Sequence, residues 1–146
     1  MIYVDTSAIV ALLVNEPGSA AVAGWYAAVR GELASATWCV TEFGSALGLK
    51  QRTAQIDAGL AQAAWARFER LVAGDARLLP VTAADFHRAA LLTLDAASAI
   101  RAGDALHLAC AERHGARELA TLDAVMAKNA RRIKLKPVAA LLPRQS

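Results

Sequence analysis

Four of the thirteen acidic residues in this 146-residue chain stand where a solvated carboxylate gains least. Asp5 follows Ile2-Tyr3-Val4 and precedes Thr6-Ser7-Ala8-Ile9-Val10, so it ends a strand with apolar flanks. Glu42 lies inside a helical run, and Ser45, Ala46 and Leu49 at i+3, i+4 and i+7 predict an inward face. Asp104 opens Asp104-Ala105-Leu106-His107-Leu108-Ala109, with Leu108 and Ala111 again predicting an inward stripe. Asp123 follows Leu119-Ala120-Thr121-Leu122, where a strand gives way to a helix. Each has a plain reading alone. Asp5, Asp104 and Asp123 are good helix caps, and Glu42 can extend to an edge.

Together they point to chemistry. Two carboxylates about 4 Å apart repel by roughly 1–4 kcal/mol. No Lys or Arg adjoins Asp5, Glu42 or Asp123 in sequence. A divalent cation removes the repulsion, and ligation by carboxylates alone suits Mg2+ or Mn2+ better than Zn2+. Metals held this way activate water and stabilise the oxyanions of phosphodiester displacement. Hydrolysis of a nucleic acid is the chemistry this set predicts.

The elements that must position these side chains alternate along the chain. Strands are expected at Ile2–Val4, Leu33–Ala36, Leu78–Val81, Glu118–Thr121 and Arg132–Lys136. Helices are expected over Thr6–Val14, Ser19–Arg30, Thr37–Arg52, Gln55–Ala73, from Thr82 onward, Asp104–His114 and Asp123–Ala130. Thr82 and Asp85 form a capping-box pair. In the fourth helix Ile56, Leu60, Ala64, Phe68 and Leu71 share one face. This alternation predicts an α/β fold with a mostly parallel sheet of four to five strands, covered on both faces. Ligands of such sheets gather at the carboxyl ends of the strands. Asp5 and Asp123 fall on that rim.

The four acidic motifs resemble the signature of the PIN-domain nucleases, in particular the VapC-type toxins of toxin–antitoxin pairs. Val4-Asp5-Thr6-Ser7-Ala8 resembles the first acidic motif and Val40-Thr41-Glu42-Phe43 the second. Asp104-Ala105-Leu106-His107-Leu108-Ala109 is the most specific match, and Thr121-Leu122-Asp123 matches the fourth. Four motifs in order cover the chain from Ile2 to about Val138. The resemblance implies a three-layer α/β/α sandwich and a Mg2+- or Mn2+-dependent endoribonuclease, usually a homodimer. It also implies a cognate antitoxin that wraps the toxin and fills the acidic pocket. By the same resemblance Asp5, Asp104 and Asp123 bind metal, and Glu42 ligates directly or through water. Thr6 or Thr121 orients a ligand or a water.

Other residues have competing uses. His107 is expected to pack or hydrogen-bond, and His87 and His114 to lie on the surface. Trp25, Trp38 and Trp65 are expected in the core or on a partner surface rather than stacked on bases. Gly44-x-x-x-Gly48 suits a close helix approach, within the chain or in a dimer. No acidic residue follows Asp123, whereas Lys128, Arg131, Arg132, Lys134, Lys136 and Arg144 do. That basic tail is either an RNA backbone track or a solvated face with lysines guarding a sheet edge. Arg101 is a phosphate contact or a helix-flanking charge.

Composition bounds the rest. The chain is 56% hydrophobic and 20% charged with net charge +3, which excludes a disordered chain. Residues 1–146 fit one domain. Only two cysteines, Cys39 and Cys110, exclude a disulfide framework. No apolar run reaches the roughly 18 residues of a membrane span, and the start lacks the pattern of a signal peptide, so a cytoplasmic protein is expected. Two other functions compete with the nuclease: a non-catalytic RNA- or partner-binding module, and a phosphoacceptor receiver, to which Lys136-Pro137 bears a likeness.

Overall fold

The computed structural model describes residues 1–143; Arg144 of the basic tail lies outside them. Ile2–Val4 forms strand β1, buried on both faces. Its side chains alternate, as strand geometry requires. Ile2 and Val4 enter one hydrophobic core and Tyr3 the other. Strands β2 (Leu33–Ala36), β3 (Ala76–Leu79), β4 (Glu118–Ala120) and β5 (Lys136–Pro137) complete a parallel sheet in the order β3-β2-β1-β4-β5.

Helices cover both faces, giving the three-layer α/β/α arrangement. Helices α1 (Thr6–Leu13), α2 (Ser19–Ala28), α3 (Trp38–Arg52) and α4 (Ala58–Arg70) pack on the core that holds Ile2 and Val4. There Phe43, Phe68 and Trp65 stack, with the two phenylalanine rings 4.6 Å apart. Helices α5 (Ala83–Leu94), α6 (Ala102–Arg113) and α7 (Ala124–Arg132) pack on the core that holds Tyr3. The chain moves outward from β1 through β2 to β3, then crosses back to β4 on the other side of β1. The order therefore reverses between β1 and β4. A crevice at the carboxyl ends of the strands is expected at that reversal.

Several expected boundaries shift, each for a local reason. Helix α4 starts at Ala58 because the Asp57 side chain accepts from the Leu60 amide, and it passes into a π-turn over Leu71–Asp75. Its buried stripe is Ala61, Ala64, Phe68 and Leu71, which leaves Leu60 58% exposed. Strand β3 ends at Leu79, two residues before the expected Val81, because Pro80 has no N–H to continue the ladder. Helix α6 begins at Ala102, with Arg101 as N-cap and Asp104 in the first turn, so Asp104 does not cap it. On α3 the buried face is Cys39, Phe43 and Leu47. Leu49 is 52% exposed, so the stripe expected from Ser45, Ala46 and Leu49 does not face inward. Helix α7 runs to Arg132, which shortens the last strand to Lys136–Pro137.

Among the described residues no helix is long and apolar enough to cross a membrane. Both cysteines are free and buried. Gly44 faces the Trp65 ring of α4, with its Cβ position 3.9 Å away, so that glycine serves a contact within the chain.

Candidate functional site

Asp5 is the first residue past β1. Its backbone amide still bonds the Ala120 carbonyl of β4, and its side chain caps α1 by accepting from the Ala8 amide at 3.0 Å. The Ser7 hydroxyl donates to the same carboxylate oxygen at 2.7 Å, and the Thr121 hydroxyl donates to the other at 2.6 Å. Only 3% of Asp5 is exposed. Burial pushes its carboxyl above the usual range, and the three donors and His107 offset this only in part. The cap reading is therefore met by a side chain that also stands at the strand reversal.

Asp123 does the same work one strand away. It caps α7 by accepting from the Met126 amide at 3.0 Å, and its own amide donates to the Thr121 hydroxyl oxygen at 3.0 Å. Thr121 thus ties Asp5 and Asp123 together across the point where strand order reverses. Ser7 adds a second tie, because its oxygen accepts from the Leu122 amide at 3.1 Å.

Glu42 projects from the first part of α3 and is half-buried. Its Oε1 accepts from the Thr6 hydroxyl at 2.7 Å and also meets His107 Nε2. His107 is 1% exposed, and its Nδ1 lies 2.6 Å from the Tyr3 hydroxyl. That hydroxyl already accepts from the Ala36 amide at 3.0 Å. Burial pushes the Tyr3 phenol well above its usual range, so it keeps its proton and donates it to Nδ1. The remaining ring proton is then on Nε2, where it is donated to Glu42. Burial alone would raise the Glu42 carboxyl. The hydrogen bonds from His107 and Thr6 outweigh it and hold Glu42 below the usual value. Its other oxygen lies toward Gly103, where a Cβ would stand 3.3 Å from Glu42 Oε2 and 3.3 Å from the buried, unpartnered Trp38 Nε1.

Asp104 reaches the same place from the first turn of α6. Its carboxyl is raised to about 6, first by burial, then by the charges of Asp123 and Asp5, with Glu42 adding to them. Asp104 therefore lies within the field of three carboxylates from three other segments. The donor set is all oxygen and fits a hard dication in kind. Among the described residues no three His, Cys, Asp or Glu side chains are already placed to hold one ion. Asp5 and one oxygen of Glu42 are engaged by internal donors.

The sequence reading singled out Thr6 and Thr121, and each donates to an acid, Thr6 to Glu42 and Thr121 to Asp5. It missed Tyr3, whose strand position gave no hint that its hydroxyl serves a histidine 104 residues away. It also missed Ser7, although a Ser two residues after a capping Asp is a local pattern that could have signalled the bond. His114 is half-buried rather than on the surface. Trp38 borders a cavity of about 370 Å³ with Phe86, Ala89, Ala90, Gly103 and Leu106. Lys136-Pro137 lies on the edge strand beside Glu118 and Leu119, at the amino ends of the strands and away from the acids, which removes the likeness to a receiver.

The PIN domain family model matches residues 2–132. The curated proteins yield no significant match. Among solved structures the fold is similar to VapC20 of Mycobacterium tuberculosis, described as a toxin cleaving the sarcin–ricin loop. That likeness has 18% identity and a TM-score of 0.71, covering 88% of this chain and 95% of that one. It is also similar to FitAcB from Neisseria gonorrhoeae, at 20% identity and TM-score 0.67, covering 96% and 98%. A third is VapBC2 from Rickettsia felis bound to a promoter DNA fragment, at 18% identity and TM-score 0.63, covering 94% and 98%. With the family model spanning most of the chain and the acids at the strand reversal, this protein belongs to the PIN-domain family.

Proposed function

We propose that this chain is a Mg2+- or Mn2+-dependent endoribonuclease, the toxin of a VapC-type pair, and that Asp5, Glu42, Asp104 and Asp123 form its active site. The observation that supports this reading is the placement of Asp104, buried and close enough to Asp123, Asp5 and Glu42 to feel their charges, beside the strand reversal at which Thr121 links Asp5 and Asp123. Such a cluster is unfavourable unless a cation joins it. Asp5, Asp104 and Asp123 would hold the ion, with Glu42 a ligand directly or through water. The bound ion supplies an activated water and a counter-charge for the phosphate oxygens. The chain supplies orientation: Thr121 and Ser7 hold Asp5, while Thr6 and His107 hold one oxygen of Glu42 and leave the other free.

The partner reading follows from two solved relatives. The Rickettsia felis structure is named VapBC2, and another relative, at 20% identity and TM-score 0.67, is described as FitAB bound to a DNA fragment. An antitoxin segment that enters the acidic crevice would inhibit this chain in the same way that it excludes RNA. A homodimer, a single domain over residues 1–146 and a cytoplasmic location complete the reading.

The test is cleavage of a mixed RNA pool with Mg2+ or Mn2+. Wild type should cut, EDTA should stop it, and Asp5→Asn and Asp104→Asn should each lower the rate by at least a hundredfold. Equal cleavage by the variants would remove the assigned site. Folded protein that binds RNA and never cuts it would favour the non-catalytic module.

A further inference from the structure

Beyond a metal ion held by the acids, affinity for an RNA backbone comes from cationic side chains elsewhere on the chain. Helix α7, capped by Asp123, runs about 14 Å, at 1.5 Å per residue, back toward the amino ends of the strands. Lys128 and Arg131 are three residues apart and exposed, so they share its outer face. Past the helix end come Lys134 and then Lys136 on β5, both exposed. Arg131, Lys134 and Lys136 line one hollow of about 470 Å³, floored by Leu135, Pro137, Ala139 and Leu142. Among the described residues none of these four cations is paired with a carboxylate. Nearby Arg132 and Arg88 are paired, with Asp95 and Glu112.

No single structural role explains the set. Complementing the helix dipole accounts for Arg131 but not for Lys134 or Lys136. Guarding the sheet edge accounts for Lys136 but not for Lys128 or Arg131. Lys134 stands at φ +65°, the left-handed position that closes a helix and favours glycine. A long cationic side chain is the less stable choice there.

We propose that Lys128, Arg131, Lys134 and Lys136 form a track for the backbone of single-stranded RNA, leading away from the acidic crevice along α7 and ending in the hollow beside β5. It rests on the ribonuclease reading for the identity of the strand. The track takes phosphates and is indifferent to base sequence.

The test is the salt dependence of binding of a labelled single-stranded RNA to the Asp104→Asn chain, which keeps the ligand intact, with Mg2+ present. For single strands the slope of log K against log salt is about −0.7 per neutralised phosphate. Replacing Lys128, Arg131, Lys134 or Lys136 with Ala should each flatten the slope by about 0.7, and all four together by nearly 3. Arg132→Ala and Arg88→Ala should leave it unchanged. Lys134→Gly should flatten the slope while raising Tm, which separates a binding role from a structural one. An unchanged slope in the fourfold variant, or equal flattening by Arg88→Ala, would overturn the track, as would no detectable binding at low salt. Wild type that fails to cleave RNA while the slope responds as stated would refute the nuclease and leave the track standing.

Discussion

Tyr3 lies on the far side of His107 from Glu42 and touches no acid of the site, yet its hydroxyl fixes which nitrogen of His107 carries the proton. Tyr3→Phe leaves the Ala36 amide and His107 Nδ1 without their partner, a loss of about 1–3 kcal/mol for buried polar groups. It also frees the ring to adopt the other tautomer, which presents a lone pair to Glu42 instead of a proton. The variant should fold, unfold at lower urea, and bind Mn2+ more weakly than wild type. Mn2+ affinity equal to wild type would mean that Glu42 is set without the relay. Asp104 gives a pH prediction. Its folded value of about 6 lies above the ordinary 3.8, so the fold retains a proton that the unfolded chain releases. Its contribution to stability therefore falls as pH rises from about 4 to about 6. A dication must displace that proton. The gain in Tm on adding Mg2+ should be larger at pH 7.5 than at pH 5, and an equal gain at both would exclude Asp104 as a ligand.

At the scale of elements, α6 matters most because it carries both Asp104 and His107. Its far end is pinned to α5: Arg113 donates to both oxygens of Asp85 at 2.7 and 2.9 Å and to the Pro80 carbonyl. The Arg113 hydrogen bond holds the Asp85 carboxyl below its usual value, against burial and with help from Thr82. The sign is that of a depressed acid: the stabilisation is full above about pH 4 and disappears as pH falls through the lower folded value. Asp85→Asn should cost about 2 kcal/mol near neutrality, and the gap in urea stability from wild type should close in acid. A constant gap down to pH 2.5 would contradict this. The capping box at Thr82 and Asp85 was legible from two residues three apart, whereas the Arg113 contact, 28 residues distant, was not. The same limit explains the boundaries. Alternating apolar runs located four of the five strands to within two residues, including the alanine-rich Leu33–Ala36, while the last was placed four residues early. The face of α3 was read one residue off, and on α4 only Leu60 was misplaced, because a helix of small residues has many apolar stripes and only the packing partner selects one.

For the whole molecule, the strand order explains why Asp5 and Asp123, far apart in sequence, come together. Asp5 follows β1 and Asp123 follows β4, strands that are neighbours only because the chain reverses direction across the sheet between β3 and β4. The motifs named these acids in sequence, but their nearness needed the topology. Charge is divided along the strand direction, with the acids at the carboxyl ends and unpaired cations along α7 and β5. Net charge +3 understates this separation. The most direct test of the site is anomalous diffraction from crystals soaked in Mn2+. A peak among the carboxylates of Asp5, Asp104 and Asp123, absent from Asp104→Asn crystals, is the predicted result. Ordered protein with no peak there, or with its strongest peak elsewhere, would contradict the metal site on which the functional reading depends.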